Sequence, residues 1–288
     1  MTQTAPIDVA LQAFDPRPDI RLIAADMDGT LLDDSDALPD ALFPLVHELH
    51  RRGITFCPAS GRQYFNLLER FRDVADDMVF IAENGAYVVG RGEEISSECL
   101  APDDVGHLVA AIRTLATSGA DVGAVVGGKR SAYVERRDPA FLAQVGRYFT
   151  RIEVVEDLRA VTGDEFVKVA VYDFGDAERT SAPSLARFRD ALQVVVSGEH
   201  WVDVMSRSAN KGDAIRRLQA TLGVTADQTM VFGDFLNDLE MMDAATYSFA
   251  MDNAHPDLRA RASYLAPANS ANGVVRTISS VLGLPWTA

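Results

Sequence analysis

The chain has 288 residues, 48% of them hydrophobic and 24% charged, and a formal net charge of −15. That length exceeds what one compact domain usually holds, and the apolar content is ample for two cores. The acidic balance disfavours nucleic acid or an anionic membrane as partner, because both select basic faces.

The opening segment, MTQTAPIDVALQAFDPRPD, has neither the basic n-region nor the long apolar h-region of a signal peptide. Residues 1–20 read as a loosely held leader. No apolar run approaches the roughly 18 residues of a membrane span. The two cysteines, Cys57 and Cys99, do not indicate a disulfide framework. A reducing cytoplasm suits them, and the expected location is cytoplasmic.

The first predicted strand, Leu22–Ala25, ends on Asp26, with Asp28, Gly29 and Thr30 directly after it. A helix follows over Pro39–Arg52. Ile54–Cys57 reads as the next strand, leading to Ser60-Gly61-Arg62 and a helix over Gln63–Phe71. Met78–Ala82 then runs into Glu83-Asn84-Gly85. Such near-continuous apolar runs of strand length predict strands buried on both faces.

The pattern changes from about residue 86. Ala86–Gly90, Gly123–Val126, Ala132–Glu135, Phe166–Tyr172, Val194–Val196 and Trp201–Met205 read as partners in an antiparallel sheet. Gly127-Gly128 and Ser197-Gly198 read as hairpin breaks, and Asp138–Phe149 and Ala182–Leu192 as helices. After residue 205 the first pattern returns. Lys211–Leu222 is a predicted helix and Met230–Phe232 a strand leading to Gly233-Asp234. A helix over Leu236–Ala244 and a strand over Tyr247–Met251 follow. Alternating strand and helix predicts a parallel sheet covered on both sides. The expected fold is an α/β, Rossmann-like three-layer core made of residues 21–85 and 206–288. An α+β cap domain, residues 86–205, is inserted into it.

In a parallel sheet ligands bind beyond the carboxyl ends of the strands, where Asp26, Asp28, Ser60 and Asp234 fall. Each acid alone reads equally well as a helix cap or turn residue. Together they read as a metal site, since close carboxylates repel unless a cation intervenes. Mg²⁺, which takes hard oxygen ligands and retains waters and phosphate oxygens, is the expected ion. Ser60-Gly61-Arg62 places a hydroxyl and backbone N–H groups at a helix entry, which suits phosphate. A plain serine N-cap would give the same pattern. Lys211 starts a helix, and alone it reads as a solvated surface lysine.

Three stretches imitate other sites. Gly123–Arg130, GAVVGGKR, nearly matches a nucleotide-phosphate loop, but Arg130 stands where a metal-binding hydroxyl is needed. It reads as a hairpin, or as positive charge on the substrate side of the cap. His47-Glu48-Leu49-His50 has its histidines three apart, one short of a zinc-protease helix. Cys57 reads as a packed core thiol and Trp201 as cap packing.

The ordered set of motifs resembles the haloacid dehalogenase (HAD) superfamily, and within it the Cof-like phosphatases. Asp26-Met27-Asp28-Gly29-Thr30-Leu31 is similar to its first motif and Ser60-Gly61-Arg62 to its second. The Lys of Asn210-Lys211-Gly212 is similar to the third, and Gly233-Asp234-Phe235-Leu236-Asn237-Asp238 to the fourth. Glu83-Asn84-Gly85-Ala86 resembles the segment where the family's chain leaves the core for the cap. Met251-Asp252-Asn253-Ala254 resembles a late segment, with Asp252 in place of Gly. The resemblance implies a phosphatase for a small phosphorylated metabolite, a sugar phosphate or a phosphorylated cofactor. In it Asp26 is the nucleophile and Asp28 the general acid and base. Mg²⁺ is held by Asp26, Asp234 and the backbone carbonyl of Asp28, with Asp238 in or behind that shell. Ser60, Gly61, Lys211 and Asn237 hold the phosphoryl group, with Arg62 assisting. The cap closes over the core and selects the substrate, and the chain is a monomer or a homodimer.

Asp28 argues against a true dehalogenase, since the family's dehalogenases lack an acid two residues after the nucleophile. The alternative enzyme is a phosphomutase or phosphotransferase using the same aspartyl-phosphate. The non-enzyme alternative is a phospho-accepting signalling domain, which needs neither so large a cap nor the Gly233–Asp238 motif.

Overall fold

The structure is a computed structural model that describes residues 7–8 and 14–285. The chain begins with β1 (Ile7–Asp8), β2 (Leu22–Ala25), α1 (Leu42–Arg51), β3 (Thr55–Pro58) and α2 (Tyr64–Arg70). Then come β4 (Val79–Ala82), β5 (Tyr87–Gly90), β6 (Glu93–Ser97) and α3 (Pro102–Thr117). The middle continues with β7 (Val122–Gly128), β8 (Ala132–Val134), α4 (Pro139–Val145), β9 (Ile152–Val154) and β10 (Phe166–Asp173). It ends with α5 (Ser181–Leu185), β11 (Leu192–Gly198) and β12 (Trp201–Ser206). The last part is α6 (Lys211–Leu222), β13 (Thr229–Gly233), α7 (Leu239–Met242), β14 (Tyr247–Met251), α8 (Pro256–Arg261), β15 (Tyr264–Ala266) and α9 (Gly273–Leu282).

The core sheet has the order β1-β15-β14-β13-β2-β3, and every pair in it is parallel. All four residues of β2 are buried, which is why that strand reads as an unbroken apolar run. β4 lies beside the sheet through a parallel bridge between Ala59 and Ile81, and carries β5 and β6 antiparallel. β2 sits between β13 and β3. The loops after these three strands therefore open side by side, and they carry Asp26, Ser60 and Asp234.

The second large sheet has the order β11-β12-β10-β7-β8-β9. It is mixed rather than antiparallel throughout, because β9 runs parallel to β8. α4 and the residues after it supply the crossover such pairing requires. The period of two along β10 separates its faces. Val169 and Val171 pack in one apolar cluster with Leu108 and Ile112 of α3 and Leu185 of α5. Ala170 and Tyr172 pack in another with Phe141, Phe149 and Trp201. The first face is covered by α3 and α5, while the second carries α4 and, through Phe149 and Trp201, lines the cavity toward the core domain.

Several elements depart from the sequence reading. Helix α3, 16 residues long, was not expected, although Pro102 at its start and Asp103 and Asp104 in its first turn mark a helix N-terminus. Gly127-Gly128 and Ser197-Gly198 lie inside β7 and β11, and the chain turns at Lys129-Arg130 and Glu199-His200 instead. The helix expected over Ala182–Leu192 stops at Leu185, and Leu192 already belongs to β11. The helix expected over Leu236–Ala244 is a 3₁₀ turn followed by the short α7. The described part of the leader is tied down: Ile7–Asp8 pairs with β15, and Phe14 stands edge-on to Tyr247 and Tyr264. Val88 and Val89 pack in the cluster that contains β2 and β13, so the apolar cores divide later than residue 86. Among the described residues no helix is long and apolar enough to cross a membrane. Both cysteines are free, and burial pushes the Cys57 thiol up.

Candidate active site

Backbone pairing fixes the first acid. Ala25 lies opposite Phe232, and the Asp26 N–H donates to the Phe232 carbonyl at 3.0 Å. Asp26 therefore emerges beside Gly233-Asp234. It is 6% exposed. Gly29 then turns the chain with φ 75°, and a Cβ there would stand 2.3 Å from Asp234 Oδ2. Only glycine fits so close an approach in that conformation. Thr30 donates its hydroxyl to Asp234 Oδ1 at 2.9 Å and orients that carboxylate.

Lys211 is fully buried. Asn210 caps its helix, accepting from the Asp213 N–H at 2.7 Å, and so fixes where α6 begins. The ammonium reaches Asp26 Oδ1 at 2.5 Å and Asp238 Oδ1 at 2.6 Å. The other oxygen of Asp238 accepts from the backbone N–H groups of Asp234 and Phe235 at 3.1 and 3.3 Å. Carboxylate oxygens of Asp26, Asp234 and Asp238 lie within 4.8 Å of one another.

Three acids share this one buried cation. Burial raises the Asp26 pKa well above the usual carboxylate value; Lys211 opposes the rise, and Asp238 and Asp234 add to it. Asp234 is pushed up to about 7, by burial first and by Asp238 second. Burial disfavours the charge on Lys211, yet Asp238 and Asp26 outweigh it and hold that group above its ordinary value. With Lys211 charged and the acids ionised, the cluster carries an excess negative charge of two, which one divalent cation neutralises. The oxygen-only donor set is the kind Mg²⁺ takes.

The Asp28 carboxylate is not in this cluster. It is bound by Arg62, Nε to Oδ2 at 2.9 Å and Nη2 to Oδ1 at 2.5 Å. Arg62 itself is buried and also binds Asp36, Asn66 and the Arg147 carbonyl. The sequence reading placed Arg62 among the phosphate ligands. In the structure its guanidinium is used on protein groups, chiefly Asp28. Ser60 is buried, its Oγ accepts from the Arg62 N–H at 3.2 Å, and it lines the cavity with Gly61. Asn237 also lines it, donating to Asn84 Oδ1 at 3.1 Å.

These groups open into a cavity of about 370 Å³ between the two domains. Its far wall comes from the inserted domain: Tyr148 and Phe149 from the turn after α4, and Lys168, Trp201 and Asp203 from its sheet. Sequence reasoning missed all of these as site residues, Trp201 included, which it assigned to packing alone. One signal was available. Lys168 is a lone cation within the apolar run Phe166–Tyr172, and it is 2% exposed. Lys129 and Arg130 lie outside the cavity lining, and Lys129 pairs with Glu94 and Glu165 in the cap hairpin region.

A cleft at the carboxyl ends of a parallel sheet, lined by carboxylates, a buried lysine and a serine, defines a phosphoryl-transfer hydrolase. The chain belongs to the haloacid dehalogenase-like hydrolase family, whose model matches residues 23–278, and it is a phosphatase of the Cof-like branch. It is 32% identical to the 5-amino-6-(5-phospho-D-ribitylamino)uracil phosphatase YbjI of Escherichia coli (strain K12), over 91% of this chain and 96% of that one. It is 28% identical to the HMP-PP phosphatase of Cronobacter sakazakii, over 85% of this chain and 89% of that one. Among solved structures, SMU.1108c from Streptococcus mutans UA159 superimposes with a TM-score of 0.83 at 26% identity, covering 92% of this chain and 99% of the other.

Proposed function

We propose that the protein is a Mg²⁺-dependent phosphatase that hydrolyses a small phosphorylated metabolite through an aspartyl-phosphate on Asp26. The observation that carries this reading is the meeting of Asp26, Asp234, Asp238 and Lys211 at the ends of β2 and β13. Asp26 is oriented by Lys211 and attacks phosphorus, forming the Asp26–phosphate bond as the bond to the leaving oxygen breaks. Asp28 protonates that oxygen. It then takes a proton from the water that releases phosphate and restores the Asp26 carboxylate. Arg62 holds Asp28 at the cavity wall between these two proton transfers. Ser60, Gly61, Lys211 and Asn237 hold the phosphoryl oxygens. Asp26, Asp234, Asp238 and the backbone carbonyl of Asp28 would hold Mg²⁺, which when bound neutralises the carboxylates and the phosphoryl charge.

Residues 86–205 act as the cap, whose inner face supplies the leaving-group side of the cavity. Tyr148, Phe149 and Trp201 favour a leaving group with a flat or apolar part, while Lys168 and Asp203 offer it a donor and an acceptor. A ring-bearing phosphate ester fits this lining, and such a substrate is named for the Escherichia coli relative.

The test is phosphate release from a panel of phosphorylated metabolites and a chromogenic aryl phosphate, with and without Mg²⁺, for wild type and Asp26→Asn. Mg²⁺-dependent release that disappears in the variant is expected. Equal release by the variant would refute the assignment of Asp26.

A further inference from the structure

The Ser60–Arg62 segment that lines the cavity has three successive backbone carbonyls. Their partners come from different domains. The Ser60 carbonyl accepts from the Asn84 N–H at 2.9 Å and the Arg62 carbonyl from the Glu83 N–H at 3.1 Å. Both donors belong to the core, directly after β4. The middle carbonyl, that of Gly61, accepts from Lys168 Nζ at 2.7 Å. Lys168 stands on β10 in the cap, so the last partner of this loop arrives only with the cap in place.

The Gly61 carbonyl and the Arg62 N–H belong to one peptide unit. That unit is planar and trans, so its oxygen and hydrogen point in opposite directions. Holding the oxygen toward Lys168 directs the N–H the other way, and there it donates to Ser60 Oγ at 3.2 Å. A hydroxyl that accepts this bond has its own proton free for a phosphoryl oxygen. Gly61 has no other means of locking the peptide by side-chain packing: a Cβ there would meet the Asn84 amide at 3.0 Å.

Lys168 is in turn held by one acid from each domain. Its ammonium lies 2.7 Å from Glu83 Oε2 and 3.6 Å from Asp203 Oδ1, and all three residues are buried. Breaking a buried ionic group by removing one partner is strongly unfavourable, so the ammonium is kept at this one place. Glu83 thus serves the same loop twice, through its N–H to Arg62 and through its carboxylate to Lys168.

We propose that Lys168 is a positioning residue that couples cap docking to the Ser60 hydroxyl. With the cap docked, Lys168 sets the Gly61–Arg62 peptide and thereby aims Ser60 at the transferring phosphate. With the cap lifted, the Gly61 carbonyl loses this partner and the hydroxyl loses its orientation. Water-exposed, open-cap enzyme is then a poor catalyst even where Asp26 and the acids are in place. This inference rests on the phosphatase reading.

The experiment is a double-mutant cycle between Lys168 and Ser60 in the full chain, with an aryl phosphate as substrate. Removing Lys168 alone would leave the Glu83 carboxylate buried without a cation, so Lys168→Met is made together with Glu83→Gln, which keeps the Glu83 N–H, and the two are exchanged as one unit. Wild-type turnover establishes that the phosphatase reading holds. The paired change is expected to lower kcat ten- to a hundredfold with KM changed less than threefold. In a Ser60→Ala chain the same paired change should have an effect below threefold, because the group it aims is gone. Lys168→Arg, with Glu83 kept, should retain part of kcat. A paired variant whose kcat matches wild type would overturn the proposal. So would an equal loss with and without Ser60, which would show that Lys168 acts by another route. No turnover by wild type would instead refute the phosphatase reading.

Discussion

The raised pKa of Asp234 predicts that Mg²⁺ binding is proton-linked near neutrality. In the metal-free fold Asp234 titrates at about 7, against a carboxylate reference of 3.8. Between those values the folded chain holds a proton that the unfolded chain has released. This group's contribution to metal-free stability therefore falls as pH rises through that window. Mg²⁺ needs the carboxylate ionised, so binding expels the proton and grows tighter as pH rises toward and past 7. Counting Asp234 alone, the ionised fraction changes about tenfold between pH 6 and pH 8. At fixed, saturating Mg²⁺ that difference is worth about 1.4 kcal/mol of added stabilisation. For a chain of this size it corresponds to roughly 3–5 °C in melting temperature. The assay is thermal unfolding at both pH values with Mg²⁺ and with a chelator, comparing the Mg²⁺-induced increments. The increment should be larger at pH 8, and Asp234→Asn should remove most of the pH dependence. Equal increments at the two pH values in wild type would refute the reasoning.

Three further outcomes follow from the same geometry. Asp28→Asn should lower kcat about 10²–10⁴-fold for alkyl phosphates and markedly less for a nitrophenyl phosphate, whose leaving group needs no proton; parallel losses on both substrates would contradict the general-acid role. Lys211→Met leaves Asp26 and Asp238 without their buried cation and should destabilise the metal-free protein by about 3–5 kcal/mol, read by denaturant titration in the presence of a chelator. Gly29→Ala places a Cβ against Asp234 at a positive φ and should raise the Mg²⁺ concentration for half-maximal activity, while costing about 1–3 kcal/mol in stability; unchanged Mg²⁺ dependence would show that Asp234 moves aside freely.

Much of the core was legible because its signals are local. Leu22–Ala25 and Tyr247–Met251 were read with the bounds the strands have, since buried parallel strands are short apolar runs that stop where polar loop residues begin. Lys211–Leu222 was equally clear, with Asn210 capping one end and Gly223 closing the other at φ 68°. The cap was read less well. Its strands alternate in two-faced fashion, glycines occur inside β7 and β11 as well as at turns, and β9 is a three-residue strand with two exposed positions.

The sequence by itself determined the order of the chemistry: acids after β2 and β13, a serine after β3, a lysine at the start of α6. Those assignments depend on residue type and on spacing along a strand or helix, which the chain carries locally. The tertiary structure decided which of these groups touch. It turned the Asp28 carboxylate onto Arg62, 34 positions away, and left Asp26, Asp234 and Asp238 to form the acidic cluster. It also set Lys168 on Gly61, 107 positions earlier, across the domain junction. Such contacts are fixed by which strands pair and by how the two sheets pack against each other, and both are properties of the whole folded chain that no local window of residues contains.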